Sequence, residues 1–141
     1  MRSLKCEVRS PLTSPKETKM SPIKRFEDIL AWKKARQLVA EIYRTCASGE
    51  FYKDFDLKDQ IRRAAVSSMT NVAEGFGRKT NKDFAHFLDL ARGSTIEVQS
   101  LLYVARDLKY VDSPEFQKLY GLANETLALI AGLTSYLRRR S

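Results

Sequence analysis

The chain has 141 residues, 43% hydrophobic and 30% charged, with a net charge of +8, a balance that suits one soluble domain with a single core rather than two. No apolar run approaches the roughly 20 residues that cross a bilayer, so a membrane-spanning protein is excluded. Met1-Arg2-Ser3-Leu4-Lys5-Cys6 forms no apolar signal segment, and Cys6, Cys46 and His86 supply neither a disulfide framework nor a zinc site, which makes a reducing cytoplasm the expected compartment.

Residues 1–22 read as a flexible or extended basic arm in which Pro11, Pro15 and Pro22 recur among Ser, Thr and Lys. Met20 opens the segment in which apolar order begins, and the expectation is that the native start lies there, with 1–19 an extension. The charge is unevenly spread. Residues 1–25 hold seven Lys/Arg against Glu7 and Glu17, Arg138, Arg139 and Arg140 add three more, and 26–137 hold fifteen basic and fifteen acidic side chains. The excess therefore sits in two tails. Such tails attract polyanions by counterion release without reading sequence, and they also serve as solubilising ends.

From Asp28 the apolar period is helical. Ala31, Trp32, Ala35, Leu38, Val39, Ile42, Tyr43 and Cys46 mark one face of a helix over about 28–47, which Ser48-Gly49 stops. Glu50 to Asp56 reads as a loop whose Phe51, Tyr52 and Phe55 cap the core. Asp56 is the expected N-cap of a second helix with Leu57, Ile61, Ala64, Ala65, Ser68, Met69, Val72 and Phe76 inward, ended by Gly75 and Gly77. Thr80 or Asn81 caps a third, over about 81–110, with Phe84, Phe87, Leu88, Ala91, Thr95, Val98, Leu102 and Ala105 inward. Asp112-Ser113-Pro114 then opens a fourth, proline at its first helical position, carrying Phe116, Leu119, Ala123, Leu127, Ile130, Leu133 and Leu137. No alternating strand pattern appears. The expected fold is all-α, an antiparallel up-and-down four-helix bundle over 23–138, followed by a basic tail at 139–141.

Catalytic signatures are lacking. Glu74-Gly75-Phe76-Gly77-Arg78-Lys79 has neither the spacing nor the preceding strand of a phosphate loop. His86 is the sole histidine and reads as a surface residue, and Cys46 lies on an apolar face where a thiol is inert. No Glu-x-x-His pair, metal ligand set or cofactor motif is present, so the expected protein is not an enzyme and takes no metal or cofactor.

Two patterns remain. At 100° per residue Gln60, Arg63, Ser67, Asn71 and Glu74 form a polar stripe beside the apolar face of the second helix, with small Ala64, Ala65 and Ser68 alongside. The stripe reads as a structural polar network against a neighbouring helix, with Glu97 the candidate partner of Arg63. On the third helix Ile96, Tyr103 and Tyr110 repeat every seven residues opposite the core, and Leu129 and Tyr136 lie off the main face of the fourth. An exposed apolar stripe points to a subunit interface and self-association.

Three segments resemble one family. They are Phe26-Glu27-Asp28-Ile29-Leu30-Ala31-Trp32-Lys33-Lys34-Ala35, the stretch from Gln60 to Arg78, and Phe87-Leu88-Asp89-Leu90-Ala91-Arg92-Gly93-Ser94-Thr95-Ile96-Glu97. With their spacing, about 23–138 is similar to the small four-helix bundle proteins encoded by intervening sequences in bacterial 23S ribosomal RNA genes. Departures are Tyr52 and Met69, where the family often has proline, and Ser68, where it has an aliphatic residue; they alter a loop and soften the second helix. The resemblance implies a homopentameric ring and kinship with the accessory variability protein of diversity-generating retroelements, a basic pentamer that binds nucleic acid and partners a reverse transcriptase. Carried to this chain, it makes Arg62, Arg63, Arg78, Lys79, Lys82, Arg92 and Arg106, with Arg138, Arg139 and Arg140, the candidate RNA- or DNA-binding residues. The leading expectation is a self-assembling, non-catalytic bundle that binds RNA or DNA weakly through phosphates. A scaffold that docks a partner protein through the Ile96/Tyr103 stripe is the alternative.

Overall fold

The computed structural model describes residues 7–9 and 20–140, so most of the expected arm and the last residue of the expected tail lie outside the described residues. Two three-residue strands, β1 (Glu7–Arg9) and β2 (Met20–Pro22), pair antiparallel with Val8 opposite Ser21. This ribbon was not legible as a pattern, since pairing this short rests on the backbone ladder and needs no apolar alternation. A 3-10 turn at Phe26–Asp28 follows, its entry held by Asp28 Oδ2, which accepts from the backbone N–H of Lys24 (3.1 Å) and Arg25 (3.3 Å).

Five α-helices complete the chain: α1 (Leu30–Thr45), α2 (Gly49–Lys53), α3 (Phe55–Phe76), α4 (Asn81–Asp107) and α5 (Ser113–Arg139). The four long ones pack in the cyclic order α1–α3–α4–α5. Cross-helix pairs show each neighbour running antiparallel: Lys34 meets Glu125 while Glu41 meets Lys118, and Ser68 meets Thr95 while Gln60 meets Glu97. This is the expected all-α up-and-down bundle.

Local chemistry sets the boundaries. Asp54, not the expected Asp56, caps α3, its Oδ1 accepting from Leu57 N–H at 3.1 Å. The capping residue sits two places earlier because the expected loop at 50–56 is mostly helical, its first five residues lying in or beside α2. Of the three aromatics assigned to the core there, Phe51 is buried, whereas Tyr52 and Phe55 stay outside, where Lys58 Nζ lies 3.9 Å and 4.5 Å above their rings. Thr80, one of two expected candidates, caps α4, accepting from Asp83 N–H (3.1 Å), and Asp112 caps α5, accepting from Glu115 N–H (2.9 Å), which puts Pro114 at the second helical position rather than the expected first. α4 stops at Asp107, three residues early. Lys109 turns left-handed (φ 62°), Lys109 N–H bonds Arg106 O at 2.9 Å and Tyr110 N–H bonds Ala105 O at 2.8 Å, the two reversed bonds of a Schellman ending.

The core comes in two apolar clusters. One gathers Ile42, Phe51, Ile61, Leu102 and Leu119 toward the α2 end; the other gathers Ile23, Ile29, Val72, Phe84, Leu88 and Ile130 toward the α3–α4 turn. Buried Ala35, Ser68, Thr95 and Thr126 belong to neither and form a small-residue waist between them. An even number of long helices has one further consequence: the start of α1, the α3–α4 turn and the end of α5 all share one end of the bundle, called here the proximal pole.

Candidate nucleic-acid interface

Neutral over 26–137, the body meets both of its basic flanks at one end of the bundle. The proximal pole collects Lys24 and Arg25 ahead of α1, Arg78, Lys79 and Lys82 at the α3–α4 turn, and Arg138, Arg139 and Arg140 at the end of α5. Arg139 is still helical, so the expected tail begins one residue later than assigned. Carboxylates offset much of this charge: Glu27, Asp28 and Asp83 share the pole, Arg25 Nε lies 3.9 Å from Glu27, Arg78 Nη2 lies 3.0 Å from Glu74, and Arg138 bonds Asp89, a pair that joins α5 to α4. Lys79, Lys82 and Arg139 have no ion pair among the described residues. Six of the ten sequence-assigned cations thus converge, and four of them, Arg140 included, have no ion pair among the described residues.

The other four do not join them. Arg62 is half-buried and tied to the end of α1: its Nε donates to Cys46 Sγ at 3.2 Å, its Nη2 to Cys46 O at 3.5 Å, and its guanidinium lies 4.5 Å above Tyr43. It closes a helix terminus. Arg63 and Arg92 are exposed on α3 and α4, and Arg106 lies 4.5 Å above Phe116 and 4.8 Å above Tyr103 at the far end of α4. The expected up-and-down order already implies which cations share an end; what it does not give is how Arg62 and Arg106 are engaged by neighbouring side chains.

Between α3 and α4 the polar stripe meets partners on the facing helix. Ser67 Oγ lies 2.8 Å from Ser94 Oγ, and Ser68 Oγ lies 2.7 Å from Thr95 Oγ1. Thr95 spends its one proton on Ala91 O at 2.8 Å, so Ser68 is the donor in the buried pair. Asn71 Nδ2 donates to Ser67 O (2.9 Å) and Ser67 Oγ (3.0 Å). Glu97 receives Gln60 Nε2 at a long 3.4 Å, not Arg63. Arg63 lies about 60° round the helix from Gln60, which turns its side chain to solvent, and Glu74 faces out to Arg78. Ser94, Thr95 and Gly75 were the unrecognised half of this seam. A Cβ on Gly75 would come within 2.8 Å of Phe87 Cβ and 2.9 Å of Phe84 Cδ1, so α4 approaches α3 here too closely for a side chain.

Of the expected interface stripe, Ile96 and Tyr103 are 40% and 42% exposed, the Tyr103 ring lying edge-on to Phe116 (5.1 Å) and Tyr120 (5.7 Å) of α5. Tyr110 departs from it. The Schellman ending carries it past the helix, where it stacks on Phe51 (centroids 5.3 Å apart) and donates its hydroxyl to Asp54 Oδ2 at 2.9 Å. That carboxylate raises the phenol's pKa above its ordinary value. Leu129 and Tyr136 likewise pack on the proximal cluster rather than standing free.

Among the described residues no group of three or more His, Cys, Asp or Glu is placed to hold a metal ion, and no helix is long and apolar enough to cross a membrane. A family model described as 23S rRNA-intervening sequence protein matches residues 27–132. A crystal structure from Bacteroides thetaiotaomicron, described as a protein with unknown function from the S23 ribosomal protein family, superposes with a TM-score of 0.69. At 18% identity it covers 74% of this chain and 98% of that one, and the likeness is one of fold. No curated protein matches the sequence.

Proposed function

The chain belongs to the 23S rRNA-intervening sequence protein family, and from that premise we propose that it is a cytoplasmic, non-catalytic bundle that self-assembles and binds RNA or DNA through phosphate contacts at its proximal pole. The observation that carries this reading is the convergence of Lys79, Lys82 and Arg139, unneutralised, at the end where both basic tails leave the bundle. Phosphate contacts position without reading bases, so binding is tolerant of sequence and steep in salt. With four cations of one chain engaged on a single strand the slope is about −3, and affinity falls about fiftyfold between 50 and 200 mM salt.

Self-assembly multiplies such weak contacts. The half-exposed Ile96 and Tyr103 supply an apolar strip for it, and a ring of five is the state that kinship with the retroelement accessory protein suggests. Fluorescence anisotropy with labelled RNA, on the full chain and on a chain beginning at Met20, tests the binding: the reading requires measurable, salt-sensitive affinity from both. Its absence at low salt from both chains rejects it. Light scattering tests the assembly. A monomer at every concentration leaves the α4 strip uncovered and shifts the balance to a scaffold that docks a partner protein there.

A further inference from the structure

We propose that the proximal pole selects single strands over duplex, with unstacked bases lying on the outer faces of the Arg78 and Arg140 guanidinium planes; the inference rests on the nucleic-acid reading above. The arginines at this pole divide by what holds them. Arg78 has its Nη2 edge bonded to Glu74 at 3.0 Å and its Cζ 4.4 Å above the Phe87 ring, while its side chain remains 45% exposed. A paired guanidinium adds little to phosphate attraction. What it presents instead is a flat, fixed face to solvent, with a phenyl ring against the other. Arg140, just past the end of α5, has the ring without the carboxylate, its Cζ 3.9 Å above the Tyr136 ring.

Each arrangement is the lower two layers of a ring–guanidinium–base stack. Lys79, Lys82 and Arg139, which lack both a carboxylate and a ring, are the phosphate contacts around it. The two kinds of contact pull in opposite directions. Charge alone favours duplex, with its phosphates every ~1.7 Å of axis. Stacking favours single strands, whose base faces are open, and one base on such a platform is worth roughly 5- to 150-fold in affinity. Two platforms outweigh the difference in charge density.

The experiment titrates the full chain against a labelled strand and against the same strand annealed to its complement. It uses wild type, Arg78→Lys, Arg140→Lys and Lys79→Ala/Lys82→Ala, with helicity checked by circular dichroism. Lysine keeps the charge and loses the plane. Each lysine variant is therefore expected to lose about fivefold or more on the single strand, to hold its duplex affinity, and to keep its salt slope. The Lys79/Lys82 variant instead flattens the single-strand slope by about 1.4. Tighter wild-type binding to duplex, lysine variants that bind like wild type, or equal losses on strand and duplex would overturn the stacking claim while leaving phosphate binding intact. No wild-type binding to either form removes both.

Discussion

Gly75 faces α4 where a methyl group has no room. A Cβ there meets Phe87 Cβ and the Phe84 carbonyl oxygen (3.2 Å), neither of which is the far end of a flexible side chain. Alanine gains about 1 kcal/mol of helix propensity but incurs overpacking of about 1–3 kcal/mol, so Gly75→Ala is expected to lower stability in urea unfolding. Arg63 gives the opposite expectation. It stands in solvent without Glu97, and Arg63→Ala should move the unfolding free energy by less than about 0.5 kcal/mol. A loss of several kcal/mol there would mean that the guanidinium has a buried partner. Arg63 lay in the stripe singled out from sequence, whereas Gly75 read there only as a helix stop. The stripe was legible because small and polar residues recurred at helical spacing; which member faced which helix was not, since that depends on rotation fixed by Ser94 and Thr95 across the seam.

Along each helix the apolar period announced the buried face, and Thr80 and the Asp112-Ser113-Pro114 turn announced two of the starts to within a residue. The end of α4 was hidden because the left-handed position is held by Lys109 where glycine would have signalled a stop. An L-residue there carries strain of about 1–2 kcal/mol, partly offset by the lower entropy of its unfolded chain. Lys109→Gly should accordingly raise stability by about 0.5–1 kcal/mol in thermal melts. The α1–α5 contact makes a pH-dependent prediction. Lys118 and Arg44 donate to Glu41 and hold its carboxyl below the ordinary value, against a smaller opposing effect of burial. A carboxylate so lowered adds stability above its unfolded value of about 4.3 and gives it up as pH falls through the folded value. Glu41→Gln should therefore melt below wild type at neutral pH, with the two curves converging in acid. A gap that persists unchanged in acid would assign the loss to packing instead of charge.

The same neutral sequence can make a uniform rod or a polarised one, and only the topology decides. Placing the charge excess in two tails was possible from composition, and the expected up-and-down order already sets both tails beside Lys79 and Lys82. The division of arginines into stacked, paired and free was invisible, except that Tyr136 and Arg140 stand four apart in sequence. The central claim is that polyanion binding belongs to this one pole. It is tested most directly by the salt dependence of single-strand RNA binding in two triple variants of equal charge loss, Lys79→Ala/Lys82→Ala/Arg139→Ala and Arg63→Ala/Arg92→Ala/Arg106→Ala. The account predicts that the polar triple flattens the log–log slope by about 2 and that the body triple leaves it unchanged; equal flattening by both, or an effect confined to the body triple, would contradict it.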